Sequence, residues 1–236
     1  GSLDAGFDCH PAAIEHGFIN CTVNMSSDAL ENEGFVSQGT EPVLIGNTAK
    51  GVHRHAFLWQ PTNSIATLRQ VGRIKDNDAT GSTGDRAYLI TTANSAAPIA
   101  SVTLAGNSCD GFAYCAEFDA TASSITRVVV SDNAAQNCTA KGILLKADTG
   151  YEITSGKVHG NSLALTGGGA LEQLYLLGVG TGRVKNVALG ANNGSGGTIG
   201  LRYVNTDDCV TDGTNSLNAA TKLSIDTAST GTLFRE

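Results

Sequence analysis

Short β-branched runs ending in a polar, Asn-containing turn recur along this chain at intervals of about 25 residues. They include Phe18-Ile19-Asn20-Cys21, Val43-Leu44-Ile45-Gly46-Asn47, Val102-Thr103-Leu104-Ala105-Gly106-Asn107 and Val128-Val129-Val130-Ser131-Asp132-Asn133, then Ile153-Thr154-Ser155-Gly156 and Val184-Lys185-Asn186-Val187. A weaker marker at Leu68 helps to bridge the gap after Val43. Between these runs lies a second kind of segment, a small residue followed by a large apolar one. Gly34-Phe35-Val36, Ala56-Phe57-Leu58, Ala87-Tyr88-Leu89, Gly142-Ile143-Leu144 and Gly200-Leu201 are members.

A repeat of this length with two or three strands per turn predicts an all-β chain folded as a right-handed parallel β-helix. Inward side chains would form apolar ladders from coil to coil, with asparagines stacking at the turns. The uneven period predicts loops of unequal length. No window keeps an i, i+3, i+4, i+7 apolar stripe free of Gly, Ser or Thr, so helices are not expected. A β-sandwich is the main rival, because short alternating strands also fit it. The pattern predicts the β-helix over residues 1–205. It weakens after Asn205, and residues 206–236 are expected to cap the open end of the same domain. Gly1-Ser2 reads as a cloning remnant, so further coils are expected to precede residue 3 in the natural protein.

Composition narrows the function classes. Glycine is abundant (29 residues) and charged residues make up 16%, which suits many short strands joined by tight turns. The net charge is −7 and the basic residues form no run, which argues against a nucleic-acid partner. No apolar stretch is long enough to span a membrane. The six cysteines contain no C-x-x-C pair, so neither zinc nor any other metal or cofactor is expected. Most of them are expected to be free, buried thiols, with a Cys9–Cys21 bridge as the alternative.

The chemistry-bearing residues concentrate near the N-terminus. Asp8 and His10 are two apart and share a strand face. Two coils on come His53, Arg54, His55 and the only tryptophan, Trp59. Stacking would bring the clusters close: a histidine to move a proton, an arginine to neutralise a carboxylate, and an indole to stack on a sugar. Glu117 and Asp119 share parity and form a second-tier acid pair.

The stretch Gly6-Phe7-Asp8-x-His10, Gly34-Phe35-Val36 and Arg54-His55-x-Phe57 resembles the catalytic region of mannuronan C5-epimerases, β-helix enzymes of the pectate-lyase-like superfamily that modify alginate. The resemblance covers about residues 5–60 and implies catalytic roles for Asp8, His10 and His55. Arg54, His53, Trp59 and Gln38 would then contact substrate, Gln38 falling near a family aspartate. The family's tyrosine falls on Ala5. The sequence of coils and the Ser/Thr/Gly/Asn-rich surface also resemble bacteriophage tailspike and tail-fibre β-helices. That likeness implies a homotrimer, a polysaccharide partner and a virion or extracellular location.

The reading that follows is a tailspike-like module recognising bacterial surface glycan. A secreted C5-epimerase or lyase acting on uronic-acid polymers, and a purely structural or adhesive β-helix, are the alternatives. The sequence leaves a reaction open: lyase, glycosidase or epimerase chemistry would each fit.

Overall fold

The computed structural model describes residues 5–9, 13–25, 32–62, 70–95, 97–167 and 171–235. His10 and Leu68 lie outside them. The described chain is an all-β parallel β-solenoid with turns of roughly 28 residues and no helix. Every named strand pairing is parallel, and the strands gather into sheets of fifteen, nine and three.

The core follows from stacking like on like. In the nine-stranded sheet Leu44, Ile74, Leu104, Val130, Val158 and Leu189 lie in register on successive rungs, each at most 2% exposed. Burying one such side chain contributes roughly 2 kcal/mol. On the fifteen-stranded sheet Phe7, Phe35, Phe57 and Tyr88 form a stack of rings with centroids 5.0, 5.0 and 5.1 Å apart. Further on, the same register runs Ala116, Ile143, Leu174, Leu201.

One corner is held by a continuous asparagine ladder. Asn47, Asn77, Asn107, Asn133, Asn161, Asn192 and Asn215 each occupy the same place on successive rungs. The Nδ2 of each donates to the Oδ1 of the next at 2.8–2.9 Å. The backbone N–H of each donates to that same Oδ1. The steps are 30, 30, 26, 28, 31 and 23 residues, longer on average than the repeat visible in the sequence. Cys21 holds the register before Asn47; its backbone N–H donates to Asn47 Oδ1 at 3.0 Å, and it carries no amide to extend the ladder.

The residue before Cys21 and before every ladder asparagine except Asn215 turns the corner with positive φ: Asn20, Gly46, Asp76, Gly106, Asp132, Gly160 and Ala191. Glycine, asparagine and aspartate tolerate this region; a Cβ-bearing residue without a local acceptor pays about 1–2 kcal/mol. Ala191, at φ 53°, is the misfit. Ala191→Gly is therefore expected to raise stability by about 0.5–1 kcal/mol, the strain relieved less the added chain entropy. An unchanged or lowered urea midpoint would contradict this.

The small residue in the Gly/Ala–aromatic segments marks a second corner. Ala56 and Phe57, Ala87 and Tyr88, and Cys115 and Ala116 are consecutive residues that all enter the core. A strand bends there, so two neighbours face inward and the alternation restarts. Space is short at the bend: a Cβ on Gly34 would sit 2.5 Å from the Ala56 carbonyl oxygen. Residues 206–235, expected to cap the stack, continue the parallel pairing to the last strands, Thr221–Ile225 and Leu233–Arg235.

Candidate functional site

The bend before Phe57, Tyr88 and Ala116 decides which side chains face outward on the larger sheet. His55, Arg86 and Tyr114 precede it and pair in register. Val36, Leu58, Leu89 and Glu117 follow it and also pair in register. Thr91 and Asp119 form a third row. Four neighbouring strands, Glu33–Ser37, His55–Trp59, Asp78–Thr91 and Ser108–Ala120, thus build one groove of about 390 Å³. Its aliphatic residues are Val36, Leu58, Leu89 and Ala93; Gln38, Gln60, Thr91, His55 and five charged residues make up the rest.

The charges are matched among themselves. Arg54 lies 3.6 Å from Glu33. Arg86 Nε donates to Glu117 Oε2, and its Nη1 lies 3.6 Å from Asp85 Oδ2. Asp119 faces Lys146 at 3.2 Å, and Lys146 also holds Asp148 at 3.1 Å. The Arg86 guanidinium covers the Tyr114 ring at 5.0 Å. Burial works against the Arg86 charge, but the bond to Glu117 and the field of Glu117 and Asp85 hold it above the ordinary arginine value. Glu117 is nearly enclosed, its side chain 5% exposed.

His55 is 4% exposed, and its Nδ1 is shut from solvent without a hydrogen-bond partner among the described residues. Burial first, then the positive charges of Arg86 and Arg54, lower its pKa to about 4; Asp85 and a backbone hydrogen bond at Arg54 oppose this. The imidazole is therefore neutral at pH 7. An unfolded histidine takes its proton near pH 6.5. Between about pH 6.5 and 4 the unfolded chain binds more protons than the folded one, so stability falls as pH falls. The loss attributable to His55 should reach roughly 3 kcal/mol at 1.36 kcal/mol per pKa unit. Urea midpoints of wild type and His55→Gln from pH 7.5 to 4 test this. The variant should lose much of the slope, and parallel profiles would refute the assignment.

The groove gathers Gln38, Arg54, His55, Glu117 and Asp119, five of the nine residues singled out from sequence. Glu117 and Asp119 share its wall as their parity suggested, yet each carboxylate faces a cation. Asp8 is exposed on strand Ala5–Cys9, paired with Val36 one rung before the groove, and does not line it. His53 is half-buried, its backbone N–H donating to Asn32 Oδ1 at 2.7 Å, and it too is outside the lining. His10 lies outside the described residues. Trp59 requires a correction. Its ring is fully buried, with Nε1 donating to the Gly39 carbonyl at 3.0 Å, so it presents no face to a sugar. It shares parity with Phe57, and the bend sends both inward while His55 stays on the groove side.

Arg86, Glu33, Gln60 and Thr91 were missed. Arg86 carried a usable signal: it stands just before Ala87-Tyr88, as Arg54-His55 stands before Ala56-Phe57. The cysteines are all free; Cys109, Cys115, Cys138 and Cys209 are buried, and Cys9 and Cys21 are half-buried. Among the described residues no helix is long and apolar enough to cross a membrane, and no cluster of His, Cys, Asp or Glu is suited to hold a metal ion. No protein-family model, curated protein or solved structure matches this chain.

Proposed function

We propose that the outer groove binds a segment of uncharged polysaccharide, as a glycan-recognition module of the kind that tailspike β-helices carry. The observation that carries this reading is the groove's composition. Aliphatic side chains stand beside amides, a hydroxyl and a neutral imidazole, a combination suited to the apolar and hydroxylated faces of a sugar ring. Both arginines that line it already face carboxylates. A polyuronate would have to break those pairs to find a cation, which disfavours the epimerase and lyase alternatives.

The test is titration calorimetry of the full chain against neutral O-antigen or capsule polysaccharides and against alginate. Binding of a neutral polymer that changes little between low and high salt is expected, with Gln60→Ala and Leu58→Ala weakening it about tenfold at unchanged fold. Binding confined to alginate and lost in salt would overturn the proposal. So would the absence of binding across the panel. The tailspike-type assembly is a separate expectation, read from the molar mass in solution, where a trimer supports it and a monomer counts against it.

A further inference from the structure

A cluster of three thiols, Cys109, Cys115 and Cys138, lies in the core. Cys109 and Cys138 come from adjacent rungs, 29 residues apart in sequence, with their sulfurs 3.9 Å apart. Cys115 interacts with Cys109 from the same strand, Ser108–Ala120. All three are at most 2% exposed. A single buried cysteine packs as a small apolar residue. Two sulfurs already in van der Waals contact across a rung are also positioned for a bond.

We propose that Cys109 and Cys138 are an oxidation site, closing as a cross-rung disulfide when the chain folds in the presence of a disulfide oxidant such as oxidised glutathione. The thiolate of one cysteine attacks a glutathione sulfur and releases one reduced glutathione. The second cysteine, deprotonated, attacks the mixed disulfide and releases the other. Two protein thiols become one disulfide, and one oxidised glutathione becomes two reduced ones.

The folded, reduced protein should resist this reaction. Burial, and then hydrogen bonding with Cys115 and Cys138, push the Cys109 thiol well above its ordinary range, so little thiolate exists and no oxidant reaches it. Closure therefore belongs to the folding chain, before strands Ser108–Ala120 and Ala134–Cys138 are covered. The bond would tie together adjacent rungs near the middle of the stack and remove entropy from the unfolded chain. The melting temperature should rise by on the order of 10 °C. Cys115 is placed to exchange with the pair, making it the reserve thiol.

The test compares this chain kept reduced throughout with the same chain unfolded and refolded in a glutathione redox buffer. Free thiols counted in denaturant should fall from six to four, and peptide mapping should find Cys109 joined to Cys138. Cys138→Ala should abolish that bond and the gain in melting temperature, whereas Cys115→Ala should keep both. If Cys138→Ala fails to fold, mapping of the wild-type chain decides alone. Six free thiols after oxidative refolding, or a bond mapping to Cys9 and Cys21, would overturn the proposal.

Discussion

Asn107→Ala should destabilise the protein by about 3–5 kcal/mol, far beyond the cost of losing one surface amide. Asn107 Oδ1 accepts from both the backbone N–H and the Nδ2 of Asn77, at 3.0 and 2.9 Å. Its own Nδ2 reaches the carbonyls of Ile74 and Ala105 and the Oδ1 of Asn133. Alanine removes all of these; it leaves the Asn77 backbone N–H and one of its two Nδ2 hydrogens buried without an acceptor, the other still reaching Leu44 O. Each orphaned group costs about 1–3 kcal/mol, and water cannot enter to replace the lost partner without opening the corner. Position along the ladder sets the size of the effect. Asn215 closes the ladder by turning its Nδ2 back to Leu189 O, Thr211 Oγ1 and Asp212 O, at a partly exposed site. Asn215→Ala should cost about 1–2 kcal/mol, since water can serve the groups it leaves. Chemical denaturation of the two variants checks the contrast. Equal losses would mean that the ladder acts as separate bonds and not as a buried chain of them.

Arg86→Met should cost about 3–5 kcal/mol, because it strands the Glu117 carboxylate in a nearly closed site. The value of the pair itself is smaller than that figure. Removing both charges, in Arg86→Met with Glu117→Leu, should recover most of the loss, as no uncompensated charge then remains. The pH dependence separates this from lost packing. An enclosed carboxylate without its cation is costly only in the charged form, so the penalty is full at neutral pH and fades in acid as carboxylates are neutralised. The gap between single and double variants should therefore shrink toward pH 4. A gap that stays constant with pH would show that methionine simply packs poorly there. Both variants should also weaken glycan binding, since Arg86 and Glu117 line the groove.

The sequence by itself determined the kind of fold. Val102 and Val128, picked out as equivalent repeats, stack in register, as do Ile153 and Val184. Asn47, Asn107 and Asn133 stand at the corner where repeated turns placed them. The reason is local: strand alternation, positive-φ corners and Asn stacking each leave a mark within a few residues. Tertiary structure decided which residues meet. Val128 stacks on Gly156, whereas Ile153 stacks on Ile125, so a marker read along the chain slips from one row to its neighbour. Along the asparagine ladder alone, contacts across rungs join residues 23 to 31 positions apart, and a change of a few residues in one loop reassigns every partner beyond it. That is why the Arg86–Glu117 pair was invisible in the sequence. The bend at Ala56-Phe57 likewise has no signature in strict alternation, although it separates His55 from Trp59. It leaves the imidazole on the groove and buries the indole, because a solenoid corner can direct two consecutive side chains into the core.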